Sequence, residues 1–261
     1  MLAEATLLGL PPWVGLLALV IAATVAGVIN TMAGGGSLLT LPILIAMGVP
    51  PGMANGTIRV GIAVQNISSA ITFHRRGFRD YRPLLRLVIP VVAGGAAGTA
   101  LATQLDDEVL RAVFGVMLAG WAVLLILRPG RFLSAPEQPR PIGPIALLLG
   151  ALVGLYGGFL QAGVGFPMLA LLVLYLGHTP VAANATKVLL VLAYTAVSLP
   201  MFAMAGLVAW REGAALAVGG MLGGWLGTRL QIKAGAKLVR WVVVITVAVS
   251  GAMMLRRALS G

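Results

Sequence analysis

Apolar stretches succeed one another along the whole chain, at about 13 to 32, 37 to 47, 57 to 73, 84 to 103, 109 to 127, 143 to 160, 164 to 177, 188 to 206, 213 to 228 and 238 to 255. Most approach the roughly 20 residues that a helix needs to cross a hydrocarbon core. Of the 261 residues 59% are hydrophobic and only 10% charged, against roughly 25% charge in a soluble domain, so the chain has too little polar surface to cover itself in water. Lipid offers the backbone no hydrogen-bond partner, and a spanning segment must therefore be a helix or belong to a closed barrel. The stretches lack the apolar-polar alternation of barrel strands. The expected fold class is an all-α polytopic membrane protein, with the lipid bilayer as its surroundings.

The chain also repeats itself. Displaced by 129 positions, Ala33-Gly34-Gly35-Gly36 falls on Ala162-Gly163-Val164-Gly165, Gly48 on Gly177 and Pro51 on Pro180. Ala54-Asn55-Gly56-Thr57 then meets Ala183-Asn184-Ala185-Thr186, Gly77 meets Gly206, and Gly94-Gly95 and Gly98-Thr99 meet Gly223-Gly224 and Gly227-Thr228. In this ungapped comparison 18 of the 69 positions from 33 to 101 are identical, and several are polar or turn residues that apolar composition alone does not reproduce. The domain organisation read from this is a first membrane repeat at 1–128, a linker at 129–142 and a second repeat at 143–261, each with four or five hydrophobic segments. Five prolines between Arg128 and Pro144 mark the linker as an exposed connector. The N-terminal stretch carries no Lys or Arg before its apolar run, and reads as a first membrane helix and not as a secretory signal.

The stretches at 37 to 47 and 166 to 176 are too short to span comfortably. If both cross as broken helices, each half makes five passes and the second half is inverted. The connectors 75 to 86, 128 to 140 and 229 to 240, with 12 of the 18 basic residues, then share the cytoplasmic face. If they are re-entrant, the halves run parallel. The charge tally favours inversion. The net charge of +11 accordingly reads as topology, with no nucleic-acid partner implied. With no cysteine and two histidines far apart, no disulfide, metal site or cofactor is expected. The sequence sets no oligomeric state.

All seven carboxylates lie in termini or connectors, whereas a cation carrier ordinarily keeps an intramembrane acid. A small anion is the better cargo. Arg59 and Lys187 alone among the basic residues stand apart from connectors, at nearly equivalent places in the two halves. Beside them Asn55, Thr57, Asn184 and Thr186 supply donors near helix starts, where N–H groups and the positive dipole end favour anions. The plainer reading makes Asn55 and Asn184 helix caps and lets Arg59 and Lys187 snorkel to an interface. Truncating either cation to alanine is expected to weaken anion binding and leave the fold intact. The clusters at Gly34, Gly35, Gly36 and at Gly163, Gly165 would let unwound backbone approach a ligand at matched interruptions, or let helices pack closely. Gln65, Asn66, Gln161 and Tyr194 sit in apolar stretches and should face a cavity or another helix, with Gln161 joining the candidate site. Ser37, with His74 or His178, is a weak candidate for an intramembrane hydrolase, because the repeat has Phe166 in its place; no catalytic residue and no enzyme is expected. A passive anion channel or a non-transport membrane scaffold would also fit these features.

The run A-G-G-G-S-L-L-T-L-P at residues 33 to 42, the A-N-G-T that follows and the degenerate second copy resemble the TauE/SafE family of permeases. The likeness covers nearly the whole chain, although Gln161 to Pro167 departs from the family's fuller glycine pattern. The resemblance implies a permease or exporter for sulfite or a small organosulfur, sulfonate-type anion, in the inner membrane of a bacterium or archaeon. Its substrate would bind at the repeat interface and be carried by alternating access.

Overall fold

The computed structural model describes residues 11–80, 82–127 and 140–234. Most of the linker and the apolar stretch at 238 to 255 lie outside the described residues. Among those described, all regular structure is helical. α1 spans Pro12–Met32, α2 Ser37–Ala46, α3 Pro51–Arg75, α4 Arg82–Ala102, α5 Asp107–Leu127 and α6 Pro144–Phe159. α7, Gly165–Leu169, continues as a π-helical turn over Ala170–Tyr175, α8 spans Pro180–Met204 and α9 covers 210–234.

Local chemistry fixes where these helices begin and end. α1, α3, α6 and α8 each start on a proline, whose fixed φ suits the first helical position and whose missing N–H is not needed there. Six glycines with positive φ punctuate the described residues, and they fall in three pairs 129 apart: Gly34 and Gly163 (89° and 78°), Gly48 and Gly177 (87° and 76°), Gly77 and Gly206 (91° and 71°). α3 and α8 share the same spacing at both of their ends. The offset read in the sequence is thus also an offset of backbone conformation.

Among the described residues three helices are long and apolar enough to cross a membrane, Trp13–Met32, Leu84–Ala102 and Pro180–Met204. α2 and α7 are short, as their sequences require. The 25-residue α3 is long but polar, and it buries Asn55, Thr57, Arg59, Gln65 and Asn66. Large apolar residues instead face out: Trp13, Leu17, Ile21 and Val25 form a stripe on α1, and Leu85 and Ile89 lie on the outside of α4. Polar side chains kept inside, among apolar clusters, under an apolar exterior suit lipid as solvent.

Because lipid tails are as apolar as leucine, helices in it associate through close packing of small residues. α4 lies on α6 in this way: a Cβ added at Gly94 would strike the Ala151 carbonyl, and one at Gly158 the Gly95 carbonyl. α9 lies on α1 similarly, with a Cβ at Gly27 only 2.9 Å from the Gly223 Cα. α3 and α8 pack antiparallel, since Gly56 near the start of α3 touches Leu207 just beyond α8, while Ala70 and Phe73 border one cavity with Ala182 and Ala185. One end of the bundle gathers Arg79, Arg82, Arg86 and Arg140. At the other end Asp107 accepts the Gly52 N–H at 2.7 Å, close to Leu207.

Gly94→Val and Gly158→Val are each expected to cost about 1 to 3 kcal/mol by overpacking, lowering the melting temperature in detergent by several degrees. Gly115→Ala, which meets nothing within 4 Å, should leave it unchanged or slightly higher.

Candidate functional site

α1 and α6 both stop inside the protein. A helix end leaves carbonyls without intrahelical partners, and these cannot be left bare away from water. Ile29 and Tyr156 carbonyls accept the N–H of Ala33 and Leu160, each at 2.7 Å. The last three carbonyls of each helix are taken by side chains from the other half of the chain. On α1, Lys187 Nζ donates to the Asn30 and Thr31 carbonyls at 2.8 and 3.1 Å, and Asn184 Nδ2 to the Met32 carbonyl at 2.9 Å. On α6, Arg59 donates to the Gly157 and Gly158 carbonyls at 3.2 and 2.7 Å, and Asn55 Nδ2 to the Phe159 carbonyl at 2.8 Å.

This exchange explains how two cations survive inside. Arg59 is 0% and Lys187 3% exposed, and among the described residues neither is in an ion pair; the pair found there joins Arg82 and Asp80 at an exposed end. The negative ends of two helix dipoles replace carboxylates. Arg59 also donates to Gln161 Oε1 at 3.2 Å and lies 4.5 Å over the Phe202 ring. Gln161 Oε1 takes a second bond from the Tyr194 hydroxyl at 3.0 Å, which fixes the orientation of the amide. Around Lys187, Gln65 connects Asn30 and Thr31, and Thr31 meets Ser69.

The glycines bring the two interruptions together. A Cβ built on Gly34 would collide with the Gly165 backbone, and one on Gly165 with Gly34. One on Gly36 would enter the Ala26 carbonyl. Gly35 is buried in the same turn, and the Gly163 N–H donates to Ser37 Oγ at 3.3 Å. Ser37 in turn donates to the Gln161 carbonyl at 3.4 Å; its hydroxyl is bonded to backbone, with no histidine. Beside this crossing, between α1, α3 and α9, a cavity bordered by Asn30, Gly36, Ser37 and Gln65 holds about 20 Å³, room for about one water.

The structure revises several sequence expectations. Asn55 and Asn184 do not cap their own helices, whose N-caps are Pro50 and Thr179, and the two cations do not snorkel. Thr57 Oγ1 donates to the Met53 carbonyl at 2.6 Å and accepts the Ala209 N–H at 2.9 Å, so it holds a connector. Thr186 borders a separate cavity of about 210 Å³. The sequence reading missed Asn30, Thr31, Ser69, Thr99 and Ser198, although Ser69 and Ser198 are identical at the offset of 129. His178, in the connector before α8, lines the cavity with Thr186. Burial lowers the His178 pKa below its ordinary value, and Asp80 partly opposes this.

Arg59→Ala removes the donor to three acceptors and a ring contact, whereas Lys187→Ala removes the donor to two carbonyls. Against the expectation that both truncations leave the fold intact, these contacts predict that the Arg59 variant has the lower melting temperature, and Arg59→Lys should recover part of the loss. A second measurement concerns pH. Since His178 resists protonation in the folded state, the unfolded chain takes up its proton first as pH falls. Wild-type protein should lose stability relative to His178→Gln as pH falls below the ordinary histidine value of about 6.5.

Comparison with known proteins places the chain among membrane transporters. Residues 19–254 match the family model of the sulfite exporter TauE/SafE. The chain is 32% identical over 234 residues to the probable membrane transporter protein YfcA of Escherichia coli, covering 89% of this chain and 87% of that protein. It is 30% identical over 222 residues to a probable membrane transporter protein of Haemophilus influenzae, covering 85% and 87%. A Sinorhizobium probable membrane transporter is 29% identical over 229 residues, covering 87% of each. No solved structure matches. With its helical body, its apolar exterior and a match that runs through nearly all of its length, the chain belongs to the TauE/SafE family of membrane transporters.

Proposed function

We propose that the protein is a multi-pass permease of the bacterial or archaeal inner membrane that carries a small oxyanion, sulfite or an organosulfonate. In this reading two inverted halves, 1–128 and 143–261 joined by the linker 129–142, alternate access to a site at their junction. The observation that carries it is the pair of buried cations without carboxylates, Arg59 and Lys187, at the place where α1 and α6 stop. Two further buried donors of that cluster, Arg59 Nε and Gln161 Nε2, have no protein partner. A surplus of donors and positive charge in a low-dielectric interior calls for an anion.

The inverted arrangement is supported by the antiparallel packing of α3 and α8, whose bounds are 129 residues apart, and by the reciprocal sealing of α6 by Arg59 and α1 by Lys187. The split of arginines and acidic residues between opposite ends supports an inside and an outside. The sealing also supplies a coupling. An oxyanion that draws the Lys187 ammonium from the Asn30 and Thr31 carbonyls unseals α1, and the empty site is restored only when the ammonium returns.

Reconstituted in liposomes, the protein is expected to move sulfite with saturation and counterflow, and Lys187→Met to lower that flux at least about tenfold, equivalent to about 1.4 kcal/mol of lost stabilisation. Unchanged flux of sulfite and of a sulfonate in Lys187→Met would dismiss the site. Flux without counterflow would make the protein a channel.

A further inference from the structure

The connectors that follow α3 and α8 begin alike and end differently. Phe78 and Leu207, 129 positions apart, close their helices through the same bond, to the Phe73 carbonyl at 3.1 Å and the Phe202 carbonyl at 2.9 Å. Beyond that point, the connector 207–209 lies down on α3. The Ala209 N–H bonds Thr57 Oγ1 at 2.9 Å, and Gly56 touches the Leu207 backbone so closely that no Cβ would fit. The corresponding connector 78–80 stands away from α8. Between Phe78, Arg79 and Asp80 on one side and Ala182 and Thr186 on the other lies the cavity of about 210 Å³. Thr186 is the counterpart of Thr57 at the same offset, and the residue after it is Lys187.

This chamber opens toward charge. Asp80 and His178 border both it and an outer cavity of about 450 Å³ that is also lined by Arg82, Arg86 and Arg140. The carboxylate there, Asp80, is tied to Arg82 at 3.2 Å, and Arg140 rests 5.0 Å over the Tyr175 ring. The surplus is strongly positive, and a cleft lined by one sign of charge concentrates the opposite ion and speeds its arrival. Small side chains, Ala70, Ala182 and Ala185, leave room for it inside.

We propose that the connectors 78–80 and 207–209 are the paired gates of the carrier, and that this structure is the state open to the arginine-rich end. There an oxyanion enters through the arginine vestibule, passes between Asp80 and His178, and waits at Thr186, the residue that precedes Lys187 in α8. In the opposite state the connectors exchange roles: 207–209 lifts from Thr57, and the Asp80 N–H takes Thr186 Oγ1 as Ala209 now takes Thr57. This rests on the transporter reading above, and it adds which segments close and which end is open.

The chain contains no cysteine, so a single Ala182→Cys reports on the chamber. In membrane vesicles it should react with the anionic sulfonatoethyl methanethiosulfonate from the arginine-rich end. Thr57→Val removes the acceptor that holds the present state and should slow labelling several-fold; Thr186→Val removes the acceptor of the opposite state and should speed it or leave it at its maximum while slowing sulfite flux. Thr57→Ser and Thr186→Ser keep the hydroxyl and should restore wild-type rates, which separates gating from misfolding. In Arg86→Gln/Arg140→Gln the preference for the anionic reagent over its trimethylammonium counterpart should fall about tenfold. Labelling that is absent, or that Thr57→Val does not slow, overturns the gates; an unchanged reagent preference overturns the vestibule. These readouts need no substrate, so intact gating beside an unaffected sulfite flux in Lys187→Met would sink the site and spare the gates.

Discussion

Six backbone carbonyls govern this molecule. They are the last three of α1 and the last three of α6, left without helical partners where each helix stops inside an apolar body. Burying a polar group without a partner costs several kcal/mol in hydrocarbon-like surroundings. The fold meets that demand by sending Lys187 and Asn184 to one end and Arg59 and Asn55 to the other. Each cation is tolerated because it faces the negative end of a helix dipole, and each helix end because it faces a cation. Remove either side of this exchange and the other has no reason to be there.

The rest of the packing follows from bringing those ends together. Lys187 and Arg59 reach across from α8 and α3 only if the two breaks lie close, and Gly34 and Gly165 make that approach by presenting backbone to backbone. The glycine faces of α4 and α9 then hold α6 and α1 in place. Polar side chains gather at the breaks, where Gln65, Thr31 and Ser69 form one cluster and Gln161, Tyr194 and Arg59 another. The outer faces are left to Leu, Ile, Val and Trp.

Much of this was legible in the sequence, because hydropathy and glycine placement are local signals. The helix positions followed from apolar runs, and the offset of 129 picked out the three pairs of left-handed glycines among the described residues. Arg59 and Lys187 declared themselves by standing alone in apolar surroundings. Their partners did not. A carbonyl oxygen has no letter in the sequence, so nothing there says that a lysine will bond the end of a helix more than 150 residues away. For the same reason the sequence offered Asn55 and Asn184 only as anion donors or caps of their own helices, and did not show that they bond the ends of α6 and α1. The helix ends themselves are 127 apart, Met32 against Phe159, not 129. The two additional residues before Gly163 bring in Gln161, which has no counterpart in the first half and which an ungapped comparison beginning at Ala33 could not place.

The contact between Gly34 and Gly165 has a bearing on how such a molecule can diversify. Two main chains touching with no side chain between them form a gauge of fixed bore, because any replacement at either position pushes the halves apart. Selection for a larger or smaller cargo therefore has to act away from that contact, on side chains whose replacement leaves the two main chains touching. Relatives that handle different molecules should differ there first, around a crossing that itself stays constant.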